Sequence, residues 1–148
     1  MTNQIVKCAN FEIANNKTFT LIAGPCQLES ESHALKISTE LKKITTELGI
    51  NLIYKTSFDK ANRTSLKGKR GMGLEKSLPI FDKIRKEVGL PVLTDIHTAE
   101  QCSIVWTSVK IGTPTSFFIL SKIGKDFSNP IPRFPLILVL LALSNEVL

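Results

Sequence analysis

Residues 19–105 alternate short apolar runs with stretches of helical spacing, and this alternation restricts the fold more than any other feature of the chain. The runs are Phe19-Thr-Leu-Ile-Ala23, Ile50-Asn-Leu-Ile-Tyr54 and Leu90-Pro-Val-Leu-Thr-Asp95, each of strand length. Between the first two, Ala34, Leu35, Ile37, Leu41, Ile44 and Leu48 recur at helical intervals, with Lys42 and Lys43 on the polar side. Glu29 and Glu31 crowd the start of this helix, where its dipole favours negative charge, and Gly49 marks its stop. Leu74, Leu78, Phe81, Ile84 and Val88 define a second helical face ending at Gly89, and Thr98 is placed to cap a third helix running towards Val105. Strands joined through helices run parallel with right-handed crossovers, so the fold class is α/β. Ahead of this unit, Ile5-Val-Lys7 and Phe11-Glu-Ile-Ala14, each followed by an Asn-containing break, predict a small hairpin.

In a parallel sheet of this kind the site is built from the loops that follow the strands. The first such loop opens with Gly24-Pro-Cys26, and the third with Asp95-Ile-His97. The second is the richest: Lys55, Ser57, Lys60, Asn62, Arg63, Thr64, Ser65, Lys67, Lys69 and Arg70 precede Gly71 and Gly73. Ammonium, guanidinium, hydroxyl and amide donors gathered at a strand end suit an anion bearing phosphate or carboxylate groups. Composition alone leaves an ordinary basic surface loop as an equal alternative.

The net charge of +6, from 19 Lys and Arg against 13 Asp and Glu, fits such a local cluster. It does not indicate nucleic acid, because no basic stripe carries interleaved aromatics and Tyr54 and Trp106 are isolated. Cys8, Cys26 and Cys102 form neither a CxxC pair nor an even framework, and the N-terminus lacks a signal-peptide pattern; both point to a reducing cytoplasm. The apolar run Phe134–Leu143 is well short of the roughly 20 residues a membrane helix needs, so no membrane partner is expected.

Four segments together resemble one family. Ile22-Ala-Gly-Pro-Cys26 with Glu29, Lys55-Thr-Ser-Phe-Asp-Lys-Ala-Asn-Arg-Thr-Ser65, Arg70-Gly-Met-Gly-Leu-Glu75 and Thr94-Asp-Ile-His97 resemble the 3-deoxy-D-manno-octulosonate 8-phosphate synthases, also called 2-dehydro-3-deoxyphosphooctonate aldolases. The match runs in order from about residue 4 to residue 105, and the Phe58–Arg63 segment is its most specific part. The resemblance implies a (β/α)8 TIM barrel that condenses phosphoenolpyruvate with D-arabinose 5-phosphate, giving the eight-carbon sugar acid phosphate and inorganic phosphate for lipopolysaccharide. It implies that Lys55 and Lys60 bind phosphoenolpyruvate, that Ser57 binds substrate, that Asn62, Arg63 and Thr64 receive the pentose phosphate, and that Asp95 acts near the reacting centre. Thr64 stands where the family usually has Ser, and keeps the hydroxyl. Members with Cys at position 26 depend on a divalent metal, so Cys26 is the expected thiolate ligand; a small buried cysteine is the alternative. The family is homo-oligomeric and uses no organic cofactor.

The resemblance ends near Val105. Residues 106–148, with Pro114, Pro130, Pro132 and Pro135, do not extend the βα scheme, and the remaining metal ligands have no counterpart. The expectation is therefore the N-terminal part of a barrel, about three βα units over residues 1–105. Residues 106–148 are expected to be a divergent tail, frameshifted or disordered, in a truncated chain that is inactive alone. A non-catalytic phosphate-binding fragment and a small basic interaction protein are the alternatives.

Overall fold

The computed structural model describes residues 5–61, 63, 65, 67–98, 100–101 and 104–105, and the backbone of 117–121. It opens with the expected hairpin, β1 (Val6–Cys8) paired antiparallel with β2 (Phe11–Ile13). Then follow β3 (Thr20–Ala23), α1 (Glu31–Glu47), β4 (Asn51–Lys55), α2 (Leu74–Lys83) with a π-helical turn at Ile84–Val88, β5 (Val92–Ile96) and β6 (Phe117–Ser121). Strands β3, β4, β5 and β6 form one parallel sheet in that order.

Local chemistry sets each boundary. The Ser30 hydroxyl accepts from the His33 amide at 3.2 Å and starts α1. The helix ends in a Schellman turn: Ile50 N–H donates to Thr45 O and Gly49 N–H to Thr46 O, with Gly49 at φ +66°. Ile50 is spent on that turn, so β4 begins one residue later than its apolar run. Pro91 has no N–H to give, so the β5 ladder begins at Val92, and the Pro91 carbonyl accepts from Tyr54 instead. Thr98 and Gln101 make a capping box: the Thr98 hydroxyl accepts from the Gln101 amide, and the Gln101 side chain accepts from the Thr98 amide.

The buried stripe of α1 differs from the apolar pattern. Ile44 and Leu48 are 49% and 65% exposed, whereas Ser38 and Thr45 are buried with Ala34. Positions 34, 38, 41 and 45 are the stripe that faces the sheet, and hydroxyls can occupy it because the helix satisfies them. Ser38 Oγ donates to Leu35 O, and Thr45 Oγ1 to Leu41 O. His33 is half-buried in the first turn.

The period of two along each strand sorts the sheet into two faces. Ala23, Leu52, Tyr54 and Val92 join the helices in the larger core, with Ile80, Phe81 and Ile84 of the second helical stretch. Ile22, Ile53 and Leu93 face the other way and are covered by Cys8, Phe11 and Ile13 of the hairpin. Burial there pushes the Cys8 thiol up to about 12, as befits a small apolar filler. Lys55 and Asp95 lie two residues further along β4 and β5 than Ile53 and Leu93, and so belong to this second face. The hairpin therefore floors the site that stands above it.

Residues 117–121 depart from the expected tail outside the βα scheme: β6 continues the sheet in parallel register with β5, from Val92 opposite Phe117 to Ile96 opposite Ser121. Its Phe-Phe-Ile-Leu run carries the strand, and the prolines that obscured it flank the run without entering it. The other residues of 106–148 lie outside the described residues. The four parallel strands of the described residues establish an α/β fold.

Candidate functional site

The loops after β3, β4 and β5 meet at the carboxyl edge of the sheet. The β3–β4 pairing is prolonged beyond the strands by a parallel bridge between Gln27 and Ser57 and by Leu28 N–H donating to Ser57 O at 2.8 Å. Ser57 is thereby held fully buried beneath the loop. Its hydroxyl accepts from Lys55 Nζ at 3.0 Å and from Lys60 Nζ at 3.1 Å. A serine hydroxyl has two acceptor positions and one donor, and both acceptor positions are in use here. Lys55 Nζ also stands 3.6 Å from Asp95 Oδ1, and His97 Nε2 lies 3.8 Å from Asp95 Oδ2.

Burial pushes the Asp95 carboxyl up, but the Ser57 hydroxyl and the Lys55 ammonium outweigh it and hold the group below its ordinary value. Burial in turn pulls Lys55 down, Asp95 raises it, and Lys60 lowers it again, leaving it below an ordinary lysine. The ionised form of Asp95 is therefore favoured in the fold. Its contribution to stability is complete above the ordinary value of 3.8 and is lost as pH falls through the lowered folded value. Asp95→Asn should therefore flatten the fall in stability between about pH 5 and pH 2, read from urea midpoints. An unchanged acid slope would show that the carboxylate is not held by its neighbours.

The loop from Phe58 to Gly73 is tied at its base. Gly73 N–H donates to Phe58 O, and Lys60 N–H donates to Arg70 O at 2.7 Å. Gly71, at φ +108°, fits here because a Cβ would lie 2.4 Å from Phe58 O. Arg70 grips Asp59 with two hydrogen bonds, 2.9 and 2.8 Å, and so braces the loop. The Asp59 carbonyl accepts from His97 Nε2 at 3.1 Å, and the His97 ring packs 5.9 Å from that of Phe58. His97 thus ties the third loop to the second.

Of the residues expected to bind substrate, Lys55, Ser57, Lys60 and the catalytic candidate Asp95 converge. Arg63 lies exposed on the same loop, where its Nη1 donates to Gln27 Oε1 at 3.3 Å and to the Lys69 carbonyl. Asn62 and Thr64 lie outside the described residues. Cys26 is a free thiol, half-buried, close enough to Lys55 to raise that ammonium. Among the described residues no group of three or more His, Cys, Asp or Glu side chains could hold a metal ion. Cys26 is a single donor among them, one thiolate where a divalent metal needs several ligands. No helix among the described residues is long and apolar enough to cross a membrane.

Two contributors were not legible as site residues. Gly24 reads as a strand breaker, and its close approach to Lys55 depends on register. Gln27 reads as one polar residue in a loop, and only the bridge to Ser57 aims it at Arg63.

The chain is 56% identical over 103 residues to proteins named 2-dehydro-3-deoxyphosphooctonate aldolase from Brucella anthropi, Brucella ovis and Brucella canis. The matched stretch is 70% of this chain and 37% of each relative, so the chain spans little more than a third of their length. Residues 3–117 match the DAHP synthetase I family, a span that takes in the hairpin, the converging loops and the sheet as far as the start of β6. With its parallel strands and its lysines gathered at their carboxyl ends, the chain belongs to the DAHP synthetase I family.

Proposed function

We propose that these loops form the anion-binding half of a site that condenses phosphoenolpyruvate with D-arabinose 5-phosphate. The products would be 3-deoxy-D-manno-octulosonate 8-phosphate and inorganic phosphate, in lipopolysaccharide biosynthesis in the cytoplasm. The observation that carries this reading is the convergence of Lys55 and Lys60 on one buried hydroxyl beside Asp95. Two ammoniums facing one place suit a ligand with both carboxylate and phosphate, and phosphoenolpyruvate has both. Arg63, with Asn62 and Thr64, would receive the phosphate of the pentose. Asp95, held ionised, would orient Lys55 beside the reacting centre. Cys26 would be one thiolate towards a divalent metal, with no group of further ligands around it among the described residues. The architecture consistent with these roles is the first part of a (β/α)8 barrel.

The described strands supply one part of such a site, so binding without turnover is the expected behaviour of this chain. Thermal unfolding with each compound tests the proposal. Phosphoenolpyruvate and D-arabinose 5-phosphate should each raise the midpoint, and pyruvate and D-arabinose should not. A midpoint unmoved by either phosphate compound at millimolar concentration would refute the proposal. Phosphate release dependent on both compounds would refute only the absence of turnover.

A further inference from the structure

We infer that Gln27 is a positioning residue that sets which edge of the Arg63 guanidinium meets the anion. This inference rests on the functional reading above and deepens it. Gln27 is only 6% exposed, and the next residue, Leu28, is fully buried in the larger core. The backbone bridge to Ser57 and the Leu28-to-Ser57 hydrogen bond fix the Gln27 main chain against the loop that carries the lysines. From this anchored position its amide oxygen accepts from Arg63 Nη1 at 3.3 Å.

A guanidinium has five N–H donors, two of them on Nη1. One Nη1 hydrogen goes to Gln27 Oε1 and the other to the Lys69 carbonyl. Nη1 is therefore used up within the protein, and the end-on edge formed by Nη1 and Nη2 is closed to a bidentate ligand. The side-on edge, Nε with Nη2, remains. A phosphate met through that edge gains two parallel hydrogen bonds only if the plane of the guanidinium is held, and Gln27 is the buried group that holds it. Arg63 is otherwise exposed on a polar loop, so without this contact its long side chain samples many rotamers and loses that freedom on binding.

The test is calorimetric titration of the chain with D-arabinose 5-phosphate and, separately, with phosphoenolpyruvate. The variants are Gln27→Met, which keeps the volume and removes the strong acceptor, Arg63→Ala, and the two combined. Gln27→Met should weaken D-arabinose 5-phosphate about tenfold, as expected for a lost charge-assisted hydrogen bond, and leave phosphoenolpyruvate within about twofold. The double variant should bind no more weakly than Arg63→Ala alone, because Gln27 acts through Arg63. A Gln27→Met chain that binds the pentose phosphate normally while Arg63→Ala does not would overturn the inference and leave the functional reading standing. Equal weakening of both ligands would also overturn it, since that marks a general loss of structure. Failure of the unsubstituted chain to bind either compound would overturn the functional reading and this inference with it.

Discussion

Gly24→Ala should unfold at a markedly lower urea concentration than the unsubstituted chain and should lose its response to phosphoenolpyruvate. A Cβ on Gly24 would lie 2.1 Å from the carbonyl oxygen of Lys55 and 2.9 Å from its carbonyl carbon. Both are backbone atoms, so no side chain can turn aside to make room. The neighbouring pair, Ala23 opposite Tyr54, is the last rung of the β3–β4 ladder. Relief therefore requires that the ends of the two strands separate or that Lys55 shift away. Either movement disturbs the ammonium that contacts Ser57 and Asp95. Overpacking of this severity costs about 3 kcal/mol. Gly49→Ala is the control: its added Cβ meets nothing within 4 Å, and its φ of +66° adds only conformational strain, about 1 kcal/mol. Equal losses in the two variants would mean that Gly24 is required for its backbone angle alone, and that the strand ends are not closely apposed.

The contrast between these glycines shows what the amino-acid order reveals and what it hides. Gly49 is legible because a helix stop is a local event, specified by the residues on either side of it. The strands and helices of residues 19–105 are legible for the same reason, since their apolar periodicity is local. Gly24 and Gln27 act through residues about thirty positions away, and only the register of β3 on β4 brings them to Lys55, Ser57 and Arg63. Ser38 and Thr45 were hidden differently: hydroxyls count as polar in any pattern, yet back-bonding to the helix lets them line the core. The strand Phe117–Ser121 contains a short apolar run, but its place beside β5 is a long-range pairing that no local signal announces. The resemblance singles out a few of the many donors after β4, and of these the side chains of Lys55, Ser57 and Lys60 meet. Arg70 illustrates the limit of counting cations, because it is spent on Asp59 and braces the loop.

Lys60→Met should abolish the stabilisation by phosphoenolpyruvate while leaving the ligand-free chain as stable as before, or more so. Lys55 and Lys60 both donate to the one Ser57 oxygen, so their ammoniums stand within about 6 Å of each other. At that separation the repulsion is about 1 to 3 kcal/mol, depending on how far water screens it. Asp95 offsets part of this for Lys55, at 3.6 Å, whereas the hydrogen bond to Ser57 is what holds Lys60 on the site. Lys55 bears the consequence, since Lys60 is one of the influences that lower its proton affinity. Removing Lys60 relieves that repulsion, and methionine preserves the apolar stem. A bound dianion reverses the balance, because both ammoniums then face opposite charge and each contributes to affinity. Thermal unfolding with and without phosphoenolpyruvate separates the two effects: the variant's ligand-free midpoint should equal or exceed that of the unsubstituted chain, and its ligand-induced rise should vanish. A fall in the ligand-free midpoint would show that Lys60 is a structural cation satisfied by the fold. A retained ligand response would show that the anion is held elsewhere. With the expected pair of results, the two lysines are an unfavourable charge arrangement that the ligand-free fold maintains for the sake of binding, the kind of local conflict expected where stability is given up for function.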